Sequence, residues 1–204
     1  MANSGKCFLI TADISDGIVG NDRSSVSVWD VFSWEQVAHW LGYRDPSQMG
    51  FVIRDIGAYY NWGMIAVETN YPGNATLQKL QDLNYPKLWT DEHGEPWKTT
   101  AKTRPLMISA LREALRESTL KINSEDMLLE LGTFVRRENG RLEAEPGTHD
   151  DCVMDCAIAA YILKHTAFED DQLAKVVRRP LREILKSINP GGRLVNTNKG
   201  GQVV

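Results

Sequence analysis

Four acids in this sequence stand where a carboxylate can do chemistry, and they are far apart in the chain: Asp13, Glu68 and the adjacent Asp150 and Asp151. Asp13 ends the apolar run "KCFLITAD" and Glu68 ends "GMIAVE". The acid pair opens the helix-like stretch "DDCVMDCAIAAYIL", with His149 just before it. Clustered carboxylates repel, so keeping them ionised needs a cation. Hard oxygen ligands suit Mg2+ or Mn2+ rather than zinc. Two such ions about 3.5–4 Å apart can clamp the attacking and leaving oxygens of a phosphodiester. A helix N-terminus would help to keep Asp150 and Asp151 ionised. Each position also has a plainer reading. Strand ends are often polar, and Thr148 with the two acids could simply cap a helix. The stronger argument is joint: three elements project acids toward the edge where an open α/β sheet gathers its ligands.

The elements that must position these acids are legible in the hydropathy pattern. "KCFLITADI" reads as a buried strand, "SVSVWDVF" alternates as a second, and "EQVAHWLGY" reads as a third, joined by short turns into an antiparallel meander. "DPSQMGFVIRDIGAYY" has helical spacing, with Asp45 as N-cap and Pro46 at the first helical position. The strand "WGMIAVET", the helix "NATLQKLQDLNY" and a short strand around "PKLWT" follow. "LMISALREALRES" reads as an amphipathic helix, apolar at Leu106, Ile108, Leu111 and Leu115. "SEDMLLELGTF" begins as a capped helix, and "TFVRRENGRLEAE" as a hairpin turning at residues 138–141. The expected fold is α/β: a mixed sheet of three antiparallel strands and then parallel ones, helices on both faces, and an added β-hairpin. Residues 1–168 form one domain and residues 169–204 a helical or flexible tail, its last dozen residues disordered.

Composition is ordinary for a globular protein, with 42% hydrophobic and 25% charged residues. No apolar run approaches the roughly 20 residues of a membrane span, and no signal-peptide pattern opens the chain. Cys7, Cys152 and Cys156 lack zinc-site spacing and read as small core residues of a reducing cytoplasm. A net charge of −4 does not advertise a nucleic-acid binder, although a site built of acids lowers net charge while basic residues elsewhere still meet phosphate. Those basic residues fall in two groups: Lys98, Lys102 and Arg104 in the loop "WKTTAKTRP", and Arg136, Arg137 and Arg141 on the hairpin. Singly they read as solvated surface. Grouped near a cleft they would hold phosphates without reading bases.

The order of Asp, then Glu, then "HDD" resembles the ribonuclease H-like nucleases. More narrowly, "TADISDGIVGNDRSSVSVWD", "GMIAVETNYPGNATLQKL", "TTAKTRPLMISALREAL" and "ELGTFVRRENGRLEAEPGTHDDCVMDCAIAAYIL" resemble, in order, the nuclease domain of the large terminase subunit of tailed bacteriophages. The resemblance spans residues 6–166. It implies a metal-dependent endonuclease that cuts concatemeric viral DNA during genome packaging, in the host cytoplasm, with two Mg2+ or Mn2+ ions. Asp13 matches the first metal-binding acid, Glu68 the second, and Asp151 with Asp150 the third, either of the pair being the direct ligand. Asp22 and His149 are placed near the metal. Asp155 departs from the expected small residue and could face the site or solvent. The implied partners are double-stranded DNA, the terminase ATPase domain of a full-length chain, the portal protein and the small terminase subunit, with no membrane. No GxxxxGKS or GxxxxGKT occurs, so this chain carries cutting rather than motor chemistry. Rival readings are a Holliday-junction resolvase or transposase, an actin-like ATPase suggested by "DISDG", and a non-catalytic docking module using the basic segment 172–188.

Overall fold

The computed structural model describes residues 6–138, 140–168 and the strand at 192–196. Strands β1 (Phe8–Asp13), β2 (Ser24–Asp30) and β3 (Glu35–Gly42) form the expected antiparallel meander. Helix α1 (Pro46–Tyr59) follows, begun by Asp45, whose carboxylate accepts the N–H groups of Ser47 and Gln48. β4 (Met64–Val67) returns parallel to β1, in the register Leu9 to Met64 through Ala12 to Val67. The remaining elements are α2 (Gly73–Asp82), α3 (Thr103–Arg116), α4 (Glu125–Gly132), the hairpin β5 (Phe134–Arg136) and β6 (Leu142–Ala144), α5 (Asp151–His165) and β7 (Gly192–Asn196).

The main sheet has the order β4-β1-β2-β3-β7. The plural parallel strands expected after the meander reduce to β4, because "PKLWT" makes only a single bridge, Leu88 to Ile65. The disorder expected for the last dozen residues fails at its start: Gly192–Asn196 pairs antiparallel with β3. The basic segment 172–188 lies outside the described residues.

Both faces of the sheet are covered, and side-chain alternation sorts them. Phe8, Ile10, Val26, Val28 and Trp40 pack with Met49, Ile53, Ile56 and Leu80 of α1 and α2. Leu9, Trp29 and Ala66 face the other way, onto Met107 and Leu111 of α3 and Val153, Cys156 and Ala157 of α5. Helix α3 is rotated from the expected face. Leu106 and Leu115 are 47% and 40% exposed, while Met107, Ile108, Ala110, Leu111 and Ala114 are buried. The small Ala110 and Ala114 belong to the same buried cluster as α5, a role that hydropathy alone assigned to larger leucines. Cys152 and Cys156 are buried free thiols, as their core reading requires.

Candidate metal centre

The parallel pairing of β1 with β4 brings Asp13 and Glu68 together. Glu68 donates its backbone N–H to Ala12 O at 2.9 Å, so the two strand ends leave the sheet side by side. Their carboxyl groups lie within hydrogen-bonding reach of one another. Gly73 makes this possible, since a Cβ there would sit 1.9 Å from Glu68 O; only glycine lets α2 begin so close to the strand end. Asn70 Nδ2 donates to Glu68 Oε1 at 2.8 Å and to Thr99 O at 2.7 Å, which orients the Glu68 carboxylate from the following loop.

The third acid arrives from α5. Asp150 is the helix N-cap by position, yet its side chain makes no capping hydrogen bond, and Thr148 turns its hydroxyl to Glu145 O instead. The capping explanation of these residues therefore fails. The first turn is satisfied from another helix: Glu130 of α4 accepts the Cys152 N–H on Oε2 at 2.7 Å and Arg23 Nη2 on Oε1 at 2.7 Å. Arg23 in turn donates its backbone N–H to Asp151 Oδ2 at 2.9 Å. Glu130 and Arg23 thus pin Asp151 over the end of the sheet. Neither was picked out from sequence, and the only signal was an acid late in α4.

Asp13, Asp150 and Asp151 line one cleft of about 540 Å3 together with Asp22, Asp16, Arg23 and Tyr71. Burial raises the Asp13 carboxyl well above the usual carboxylate range, and the charges of Glu68, Asp151 and Asp155 push it further. Asp151 is pushed up to about 6, chiefly by burial and secondly by Glu130 and Asp22, against the Arg23 N–H. Asp150 is raised by burial and partly held down by Arg104, whose Nη2 is 3.7 Å from Asp150 Oδ2. The adjacent acids are therefore not equivalent. Asp151 faces Asp13 and His149, whereas Asp150 turns toward Arg104.

Asp22, His149 and Asp151 offer ligand atoms within 4.8 Å of one another, with His149 Nδ1 3.4 Å from Asp22 Oδ1 and 3.9 Å from Asp151 Oδ2. The donor set fits a hard divalent cation: mostly carboxylate oxygens, with one imidazole at the rim. Asp155 corrects an expectation. It faces neither the cleft nor solvent but the sheet, fully buried, accepting Ser25 Oγ at 2.9 Å and Ser27 Oγ at 2.5 Å. One helical turn past Asp151 points inward here because α5 lies flat on β1 and β2. Burial raises Asp155 to about 7.

Of the basic residues, Arg104, Arg136 and Arg141 line a neighbouring groove, while Lys98 and Lys102 are exposed and outside it. Arg137 is spent on the hairpin itself, with Nη2 donating to Ala144 O at 3.0 Å.

No known protein-family model matches the sequence. Solved structures do match. The large terminase nuclease from thermophilic phage G20c aligns at a TM-score of 0.63 and 21% identity, over 76% of this chain and 81% of that one. The nuclease domain of the Thermus phage P74-26 large terminase aligns at 0.62 and 18% identity, over 80% and 84%. This chain has the large terminase nuclease fold. Crystals of the G20c terminase nuclease have been solved with bound magnesium, cobalt and zinc. Within the terminase nuclease fold of the present chain, the described residues include no helix long and apolar enough to cross a membrane.

Proposed function

We propose that this chain is the nuclease domain of a phage large terminase and hydrolyses DNA phosphodiester bonds with divalent metal. The observation that carries the reading is the convergence of Asp13 and Asp151, from a strand and a helix, on one cleft, with the Glu68 carboxyl beside Asp13 at the neighbouring strand end. Asp13 is the shared ligand, Glu68 and Asp151 complete the set, and Asp22 with His149 supports a second position at the rim through Asp151. Asp150 is assigned to hold Arg104 beside the cleft rather than to bind metal directly. Mg2+ or Mn2+, two ions when fully loaded, supplies charge neutralisation and polarisation of the scissile phosphate.

The residues of the chain do the rest. Arg23 N–H and the Glu130 bridge fix the Asp151 carboxylate, so little reorganisation is needed when a phosphate arrives. Asn70 holds Glu68 in the same way. His149 lies half-exposed beside Asp22 and Asp151, where its Nδ1 faces the same rim position as their carboxylates. The substrate is double-stranded DNA in the context of packaging, with the ATPase domain of the full-length terminase as the positioning partner, and with portal protein and small terminase subunit further away. The site of action is the cytoplasm of the infected host.

Supercoiled plasmid incubated with the protein and Mn2+ should be nicked and linearised, and EDTA should stop it. Asp13→Ala and Asp151→Ala should each abolish cleavage while leaving a folded protein. Cleavage that persists in a clean Asp13→Ala preparation would sink the reading. Preferential cutting of four-way junctions over linear duplex would reassign the chain to a resolvase.

A further inference from the structure

The turn that follows Glu68 carries Tyr71 and Pro72 into the lining of the acid cleft. Its backbone is held from both sides. Thr69 donates its N–H to Trp97 O at 2.9 Å and its hydroxyl to the same oxygen at 2.8 Å. Gly73 donates its N–H to Asn70 O at 2.7 Å, while the Asn70 side chain ties the turn to Glu68 and Thr99. On this fixed turn Tyr71 stands 88% exposed. Among the described residues its ring packs on no other ring and its hydroxyl joins no hydrogen bond. A lone exposed aromatic is ordinary on a protein surface. This one stands three residues after an acid assigned to the metal, on the wall of the cleft that a substrate must enter.

Five aspartates line that cleft, and the one cation among its described lining residues, Arg23, has its Nη2 2.7 Å from Glu130 Oε1. The wall that bears Tyr71 therefore offers little to a phosphate. What it offers is an uncharged aromatic face. Every nucleobase has a matching face, so stacking on such a ring holds a strand without reading its sequence. In an intact duplex both faces of a base are covered by its neighbours, and a ring reaches one only where a step is opened. We propose that Tyr71 stacks on an unstacked base beside the scissile phosphate, so that the cleft takes a strand opened at the point of cutting. The identity of the ligand rests on the nuclease reading. One turn then serves both sides of the reaction: Asn70 orients the Glu68 carboxylate, and Tyr71 holds the strand in register over the acids. Only the parallel pairing of β4 with β1 brings this turn to the cleft.

The test separates base from backbone. Two short fluorescein-labelled single strands, one with bases and one abasic throughout, are titrated with the full 204-residue chain. Ca2+ replaces Mn2+, and gels check that the strands stay uncut. Tyr71→Ala should raise Kd for the base-bearing strand about 5–100-fold, the range for losing one base–aromatic stack. It should leave the abasic strand and the slope of log K against log salt unchanged, because no phosphate contact is lost. Tyr71→Phe should bind as wild type does. Phe32→Ala should also bind normally: Phe32 is 60% exposed but follows β2 at the end of the sheet opposite Asp13. In Mn2+ the wild type should cut a duplex with a short mismatched bubble faster than the matched duplex, and Tyr71→Ala should lose most of that advantage. An unchanged Kd in Tyr71→Ala, with wild-type melting, would overturn the proposal. So would an equal loss on the abasic strand, a Tyr71→Phe loss as large as that of Tyr71→Ala, or no advantage of the bubble. Failure of the nuclease reading looks different: Tyr71-dependent binding of the base-bearing strand with no metal-dependent cleavage. The converse, cleavage with Tyr71-independent binding, removes only the stacking contact.

Discussion

Replacing Asp151 by Asn should make the metal-free protein more stable at pH 8 and inactive at every pH. The carboxyl is pushed up to about 6 from an ordinary 3.8, mainly by burial. A shift of about two pH units at roughly 1.4 kcal/mol each means that ionised Asp151 costs the metal-free fold on the order of 3 kcal/mol. The folded state holds this proton more tightly than the unfolded chain. The stability it contributes is therefore fully present below about 4 and is lost as pH rises through about 6. Asn keeps the shape and an oxygen for the Arg23 N–H, now 2.9 Å from Asp151 Oδ2, but carries no charge. The expected gain at pH 8 is about 1–3 kcal/mol, or roughly 2–4 °C in Tm for each kcal/mol. At pH 4.5 the folded carboxyl is already largely protonated, and the gain should shrink to about a third of its pH 8 value. Thermal melts in EDTA at the two pH values, beside a plasmid assay in Mn2+, read out both arms. A variant that melts lower than wild type at pH 8, or gains equally at both pH values, would refute the reasoning that burial and like charge hold Asp151 at a cost.

Other outcomes follow from the same electrostatics. Mn2+ or Mg2+ should raise Tm at pH 8 and much less at pH 5, where protons compete for Asp13 and Asp151, and a chelator should reverse the effect. Asp155→Asn should fold and flatten the loss of stability between about pH 4 and 7, since burial raises the native carboxyl from 3.8 to about 7. Asp155→Leu, which removes the carboxylate that accepts from Ser27 and Ser25, should cost about 2–5 kcal/mol in a denaturant melt. Glu130→Ala should cost about 3–5 kcal/mol by stranding Arg23 and the Cys152 N–H, and should weaken Mn2+ binding measured by calorimetry.

Asp155 shows where local pattern and tertiary structure part. The alternation of "SVSVWD" marks a strand, and Ser25 and Ser27 read as its polar face. In the fold that face is buried, because α5 lies across it and Asp155 supplies the acceptor for both hydroxyls. A buried hydroxyl is tolerated only with a partner, and Ser25 has His39 Nε2 on the next strand at 3.0 Å and Asp155, 130 residues away. The same applies to the Glu130 bridge, whose value depends on Arg23 at a separation of 107 residues.

Taken alone, the sequence determined the meander, the cap at Asp45, the hairpin, and three acids placed at the ends of two strands and the start of a helix. Those features depend on hydropathy period and turn chemistry, which act over a few residues and are written locally. Tertiary structure decided which of the paired acids faces Asp13, that Asp155 turns inward, and that Ala110 and Ala114 rather than Leu106 and Leu115 join the core. Each of these depends on the rotation or docking of one element against another, and a helix rotation of a third of a turn changes every answer without altering the local pattern.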